Sequence, residues 1–392
     1  MQTKFSQQRK VQMNHNTTEK DVLSIASVFA RMSDQRKSKG IRYQFQSLLI
    51  LLSLGKLCFQ DTPSEIADWV LNRSDLLKEK LGLKWKRMPS NSTWQRLLGQ
   101  NIEASDFDEK IGQYFQSLSS EERQLYNLDG KVVCGTISKE TDNQLHLVAL
   151  QESAANLVID QTALLAGENE ISGAKRLLGR TCLKNKIISG DAIFAQQELS
   201  KTVVEKGGEY LWKLRANQGN IYKMAVAHFE KMDDKYLAQA VSLEKGHGRI
   251  DAREILSSFR ITGKIEFPFV AQVFRIKRKS EVVKTGKASE QTIYGITSLP
   301  VEEYGAEELL KLTRKHWGIE NGLHYRRDVT FKEDACRQTT SNGGQVLAVL
   351  NNLTIGILRK LGWTNIAQAR RYFNAQIDEA LKLIMFPLSL LL

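Results

Sequence analysis

Three acids in the chain stand where they could do chemistry. Asp129 sits in Tyr126-Asn127-Leu128-Asp129-Gly130-Lys131-Val132-Val133, which reads as a strand with polar residues inserted. Asp191 follows Lys186-Ile187-Ile188-Ser189-Gly190, a short apolar strand that ends on an acid. Glu320 lies in a helical segment, Lys315-His316-Trp317-Gly318-Ile319-Glu320-Asn321-Gly322-Leu323-His324. In an α/β sheet, functional groups gather at the carboxyl ends of strands. Acids converging there from two strands and a helix repel one another unless a cation lies between them. Two divalent ions about 4 Å apart would clamp the attacking and leaving oxygens of a phosphodiester. Mg²⁺ suits such a site, because it takes oxygen ligands and keeps several waters. Each acid also has a plainer reading. Asp191 could form a turn or cap a helix, Asp129-Gly130 could be a turn, and Glu320 could be a solvated helix residue beside Lys315 or His324. His316, Glu320 and His324 recur every four residues on one helical face, which is compatible with a transition-metal site, but no HExxH or cysteine pair accompanies them.

The elements that must position these acids follow from patterning. Residues 1–22 are polar and read as a mobile arm without the apolar core of a signal peptide. A helical region spans 23–115. Its signals are an apolar stripe between Tyr43 and Leu57, a helix start at Thr62-Pro63-Ser64-Glu65, and cap-like Pro89-Ser90-Asn91-Ser92-Thr93 before Trp94. A helix-turn-helix DNA reader would look like this, and so would most small helical domains. Near residue 125 strands begin, with further strand candidates at 145–150, 157–159, 186–191 and 209–214 and helices at 168–178 and 195–205, an α/β order. From about 218 to 300 the character changes again, and after one helix (Ile221 to Met232) the chain is β-rich. Phe267–Ile276 and Thr292–Ile296 alternate, with a basic hairpin from Lys277 to Lys287 between them. Helices follow, one with Val346, Leu350, Leu353, Ile357 and Leu361 as its core stripe. The apolar run Leu383–Leu388 could dock on the core or meet a partner.

Composition narrows the partner. The 392 residues carry 56 Lys+Arg against 44 Asp+Glu, a net charge of +12, which suits a polyanionic partner such as nucleic acid or an anionic membrane, or simply a soluble protein that is basic. The four cysteines form no CxxC pair, which argues against a zinc ribbon or disulfide framework, and a reducing compartment fits. The apolar stretch Leu48–Leu52 is broken by Gly55 and Lys56 and is too short to span a membrane.

Taken in order, these blocks resemble the DDE transposases of bacterial insertion sequences, and most of all the H-repeat-associated group. The likeness runs over about residues 25–360. Asp34-Gln35-Arg36 through Gly40-Ile41-Arg42-Tyr43 resembles that group's opening "DPR…G.RY"; Glu65-Ile66-Ala67-Asp68-Trp69 is similar to "IAEW", and Pro89–Thr93 to "PS..T". Leu128-Asp129-Gly130-Lys131 is similar to "DGK", Glu168–Ile171 to "SNEI", and Ser189-Gly190-Asp191-Ala192 to "TIDA". Leu214-Arg215-Ala216-Asn217-Gln218 resembles "LKGNQ", and Glu244–Ile250 is close to "KGHGRIE". His316–Asn321 is the "HWGIEN" block, and Asp328–Asp334 follows as "DV.F.ED".

The resemblance implies a ribonuclease-H-like catalytic domain over 116–392 with the β-rich stretch at 215–300 as an insertion, preceded by a DNA-binding helical domain. It implies Asp129 on the first strand, Asp191 after the fourth and Glu320 on a later helix, as catalytic residues and ligands of Mg²⁺, with Mn²⁺ as a substitute. DNA contacts are implied for Lys131, Asn217, His247, Arg249, His316 and Arg327. Double-stranded DNA, both terminal repeats and target, is the implied partner, with a homodimer on DNA, no membrane, and a nucleoid-associated place in the bacterial cytoplasm. The chain departs from the related YREK signature. Thr313 and His316 stand for its Tyr and Arg, and Arg327 for its Lys; Cys134 replaces the Arg after "DGK", and Arg215-Ala216 replaces Lys-Gly.

Overall fold

The computed structural model describes residues 23–391 except 40, 120–121, 138–143, 234, 236, 247, 317, 319 and 337–339. The side chains of Ile137, Glu320, Asn321 and Ser341 also lie outside the described residues, as does the arm at 1–22.

Six helices open the chain: α1 (Ile25–Ala30), α2 (Phe45–Leu57), α3 (Pro63–Asn72), α4 (Ser74–Leu81), α5 (Asn91–Arg96) and α6 (Ala104–Ser117). The start of α3 falls where the sequence places it. Thr62 accepts from the Glu65 amide, Glu65 returns a bond to the Thr62 amide, and Pro63 occupies the first turn. α2 is more deeply set than a striped helix. All its residues except Gln46 are buried, Lys56 included.

A mixed sheet follows. β1 (Gln124–Ile137), β2 (Gln144–Glu152) and β3 (Leu157–Ala163) form an antiparallel meander. After α7 (Glu170–Arg180), β4 (Lys186–Gly190) pairs parallel to β1. After α8 (Gln197–Glu205), β5 (Glu209–Leu214) pairs parallel to β4. The chain then runs through α9 (Asn220–Lys231) into β6 (Ala238–Gly246), β7 (Arg249–Ser258), β8 (Gln272–Val282) and β9 (Ala288–Thr297). β9 joins β5 antiparallel, giving one nine-stranded sheet in the order β3-β2-β1-β4-β5-β9-β8-β7-β6. The β-rich stretch at 215–300 thus continues the same sheet as β1–β5.

Alternation along the strands decides what meets what. Leu125, Ile187 and Leu211 pack against Leu309 and Leu310 of α10 (Ala306–His316). Val133 packs with Ala348 of α11 (Ser341–Lys360) on the same face. The other face receives α7 and α8, where Gly173 lies against Val148 and Trp212 donates to Ser200 Oγ at 2.9 Å. Helix α6 lies along β3, which is one edge of the sheet; Gln116 donates to the Ile159 carbonyl at 3.2 Å.

The last helices, α12 (Ile366–Ala375) and α13 (Ile377–Met385), return to the first ones. Trp69 Nε1 donates to Asn374 Oδ1 at 2.9 Å. Buried Arg370 donates to Asp61 at 2.7 Å and to the Lys56 carbonyl at 3.0 Å, with its guanidinium over the Phe331 ring. Leu383, Ile384 and Leu388 are buried, so the C-terminal apolar run docks on the core. Among the described residues no helix is long and apolar enough to cross a membrane.

A buried polar network ties α6 to the sheet and to α11. Asp108 accepts from Gln345 at 2.6 Å and Gln161 at 3.0 Å, and Gln161 Oε1 accepts from Asn352 at 3.0 Å. Burial pushes the Asp108 carboxyl up to about 8, and nearby Asp160 adds to the rise. Below about pH 4 both folded and unfolded chains hold this proton. Between there and about pH 8 the unfolded chain has released it and the folded one has not. Stability therefore falls as pH rises through that window. Asp108→Asn should remove the fall. The variant's melting temperature, relative to wild type, should be higher at pH 8 than at pH 5; equal offsets at both pH values would count against it.

Candidate active site

One face of three neighbouring strands carries the polar residues that the apolar pattern left unexplained. On β1, Asn127, Asp129 and Lys131 alternate with Leu128 and Gly130 and turn toward α10 and the segment after it. Leu128 pairs with Gly190 as the last step of the parallel β1–β4 ladder, and Asp129 and Asp191 are the residues that follow them in each segment. The ladder cannot tolerate a side chain at Gly190. A Cβ there would stand 2.8 Å from Trp212 Cζ3 and 3.0 Å from Phe194 Cδ2. Gly190→Ala should cost about 1–3 kcal/mol of overpacking and shift the backbone that holds Asp191. Denaturant unfolding would check this, and an unchanged midpoint would refute it.

Asp191 caps a short turn, Ala192–Phe194, and its carboxylate is heavily engaged. Lys213 Nζ on β5 stands 2.8 Å from Oδ1, His316 Nε2 at the end of α10 stands 3.3 Å from Oδ1, and Arg215 lies 4.0 Å from Oδ2. The hydrogen bond from His316 and the charge of Lys213 hold this carboxyl well below the usual carboxylate range, against its partial burial. It is ionised at neutral pH. His316 is itself fixed. Its Nδ1 lies 3.0 Å from Ser189 Oγ, which donates at 2.8 Å to Asn127 Oδ1, and the Asn127 amide donates to the Lys315 carbonyl at 3.3 Å. A chain of side chains from β1 through β4 thus orients the ring that meets Asp191.

Asp129 lies beside His324, whose Nδ1 is 3.6 Å from Oδ2. Burial, with Arg327 and Lys131 nearby, lowers His324 to about 3, so the ring is neutral at physiological pH. His324 belongs to an unusual element. From Glu320 to Thr330 the helix is wound in π form, over Glu320–His324 and again over Arg326–Thr330. Such winding is rare and is frequent at functional sites. Glu320 opens this segment; its side chain is outside the described residues.

The acids of the "DV.F.ED" block turn out to be counter-ions. Asp328 meets Lys131 Nζ at 2.5 Å, Asp334 lies 3.9 Å from the same ammonium, and Glu333 accepts from Arg327 Nε at 2.8 Å. Three residues for which DNA contacts are implied have partners within the chain. Arg327 is 0% exposed and also donates to Gln161 at 3.1 Å, so it locks the π segment to β3. His316 is buried against Asp191, and Lys131 is mostly covered by Asp328. All three hold the site together and do not face solvent. Asn217 and Arg249 are exposed, Arg249 at the tip of the β6–β7 hairpin, and His247 lies outside the described residues. Beside Asn217, Gln218 ties the turn after β5 to the turn after β4, donating to the Ala192 carbonyl and accepting from the Arg215 amide. Sequence reasoning missed Lys213, Ser189, Asn127 and Gln218; the alternation of Lys213 with Trp212 in a strand was the available signal.

His316 and His324 turn to different carboxylates, and among the described residues no group of three or more His, Cys, Asp or Glu is disposed to hold a metal. The zinc reading finds no support there. Asp129 and Asp191 offer the oxygen ligands that a hard divalent cation takes, and Glu320's backbone lies on the segment that bears His324.

A protein built this way can be compared with known ones. The family described as "Transposase DDE domain" matches residues 134–356, and the one described as "DDE_Tnp_1-associated" matches residues 26–115. The chain belongs to the DDE transposase family. The matched span includes Asp191 and Glu320 and begins just after Asp129. Among relatives, the "H repeat-associated putative transposase YhhI" of Escherichia coli K12 is 25% identical, covering 83% of this chain and 87% of its own. "Putative protein YbfL" of the same strain is 26% identical with the same coverage. "Putative transposase YncI" of Escherichia coli O157:H7 is 24% identical over 86% of this chain and 88% of its own. The resemblance to the H-repeat-associated group is borne out. A piggyBac transposase synaptic complex with hairpin DNA aligns with a TM-score of 0.42 at 9% identity, over 91% of this chain and 76% of that one, too slight a likeness to carry an argument.

Proposed function

We propose that the chain cleaves DNA at the ends of an insertion sequence and joins them to target DNA, with Asp129, Asp191 and Glu320 as the ligands of Mg²⁺ or, in its place, Mn²⁺. The observation that supports this most is that Asp129 and Asp191 directly follow Leu128 and Gly190, the last pair of the parallel β1–β4 ladder. The π segment that opens at Glu320 brings His324 to Asp129 on that face. When bound, a metal pair supplies activation of the attacking water or 3′-hydroxyl and stabilisation of the leaving oxygen. The chain's own residues prepare the place. His316 orients Asp191 through the Ser189–Asn127 chain, and Lys213 offsets negative charge at Asp191. Neutral His324 adds no positive charge beside Asp129. No covalent protein–DNA intermediate is needed, which separates this scheme from Ser or Tyr recombinases. Because two ends must be held together, the working form is a homodimer on DNA at the bacterial nucleoid.

Excision and joining of a plasmid-borne element flanked by its terminal repeats, with Mg²⁺ against EDTA, tests the reading. Cut and joined products that need the metal are expected. Cutting without joining would make the protein a plain nuclease. Repeat-specific binding with no cutting would make it a DNA-binding protein that has lost the chemistry.

A further inference from the structure

A strongly basic surface lies remote in sequence from the three acids. A groove opens between the stretch joining α1 to α2 and the stretch joining α4 to α5. Arg36, Lys37, Lys39 and Arg42 line one wall. Lys84, Lys86, Arg87 and Arg96 line the other. No carboxylate lines it, and among the described residues only Arg36 of these eight has an acidic partner, Asp34 at 2.7 Å. The other seven cations are exposed. They account for more than half of the chain's net charge of +12.

This is a built groove, and its walls are fixed to one another. Tyr43 and Trp85, one from each wall, meet edge to face with ring centroids 4.8 Å apart. Tyr43 also donates through its hydroxyl to the Met88 carbonyl at 3.3 Å, and Arg36 donates to the Tyr43 carbonyl at 2.9 Å. Holding seven like charges on two fixed walls without counter-ions is unfavourable unless a polyanion completes them. The two aromatic rings are spent on each other, so they offer no stacking platform of the kind that holds single strands. What remains is a rigid double row of phosphate partners.

We propose that this groove grips the phosphate backbone of duplex DNA, independently of sequence, and so acts as the main affinity site of the chain. The proposal rests on the DNA substrate argued above and gives the place where that substrate is held. Each phosphate neutralised contributes about 0.9 to the slope of log affinity against log salt. Seven cations on two walls predict a steep slope, and a variant that loses three of them should lose up to about 2–3 of it.

The test uses the full chain, a random-sequence duplex as probe and fluorescence anisotropy at about 50 to 200 mM salt. Lys84→Gln/Lys86→Gln/Arg87→Gln is compared with Lys279→Gln/Lys284→Gln/Lys287→Gln on the exposed β8–β9 hairpin. All six lysines and arginines are solvent-facing, so equal melting temperatures are the folding control. The groove variant should bind at least tenfold more weakly with a shallower salt slope, the hairpin variant within twofold of wild type, and a matching single strand more weakly than duplex. Equal losses in both variants, or none in the groove variant while wild type binds, would overturn the groove and leave the transposase reading standing. Tighter binding of the single strand would overturn the duplex assignment. If wild type binds no DNA at all, the functional reading falls with the groove.

Discussion

Asp191→Asn should abolish DNA cleavage while leaving DNA binding intact. The substitution keeps the shape of the side chain and removes its negative charge. A metal that polarises a phosphodiester contributes several kcal/mol to the transition state. Losing one of its ligands therefore predicts a fall of roughly a thousandfold or more in cleavage rate. Lys213 and His316 would be left facing a neutral amide, so some stability should be lost as well. Because Asp191 is held below its ordinary range, its ion-pair stabilisation is fully present above about pH 4 and is lost as pH falls through its folded value. The wild-type melting temperature should then drop more steeply under acid than that of the variant. Cleavage by the variant within tenfold of wild type would remove Asp191 from the reacting centre, whatever its melting behaviour.

The second large effect belongs to Arg327, a residue whose place in the resemblance suggested a phosphate contact. The structure buries it against Glu333, which is itself buried and also accepts from Asn351 at 2.9 Å. Arg327→Ala would leave that carboxylate without its cation. Removing one partner of a buried pair costs about 3–5 kcal/mol, whereas replacing both with apolar residues of similar volume is often neutral. Arg327→Met/Glu333→Leu should therefore be more stable than Arg327→Ala. Equilibrium unfolding in denaturant separates the two. A variant with unchanged stability and weakened DNA binding would restore the phosphate role.

What could be read from sequence, and what could not, divides along physical lines. Strand β4 was legible because Ile187 and Ile188 sit between polar ends, and α7 and α11 because their apolar faces repeat at helical spacing. For the same reason Asp129 could be placed on its strand, whereas Asp191, expected as the last residue of 186–191, lies just past the end of β4 and caps the turn that follows. Strand β6 was not resolved as a separate element: Ala238–Gly246 is the exposed outer strand and lacks an apolar core face. The π winding after Glu320 left no mark, since a change from i+4 to i+5 backbone bonding needs no change of residue type. The burial of Lys56, Arg327 and Arg370 left no mark in the sequence, because long cations are seldom buried unless paired. Their partners Asp61 and Glu333 are found only in three dimensions. The pairing of Lys213 with Asp191 likewise depends on the two strands lying next to each other, which composition does not encode.

The continuity of the sheet has one more consequence. Lys213, which touches Asp191, pairs with Gly295 on β9, and Gly295 pairs with Phe274 on β8. Eight residues further along, Val282 pairs with Arg249 at the hairpin tip. Every step of that path is a ladder of backbone hydrogen bonds, so it works as a ruler about 25–30 Å long. The hairpin tip at Arg249 therefore stands at a distance from the acids that is set by counting residues. Lengthening each of the outer strands by two residues would move the mark by about 7 Å, or roughly two base-pair steps of DNA.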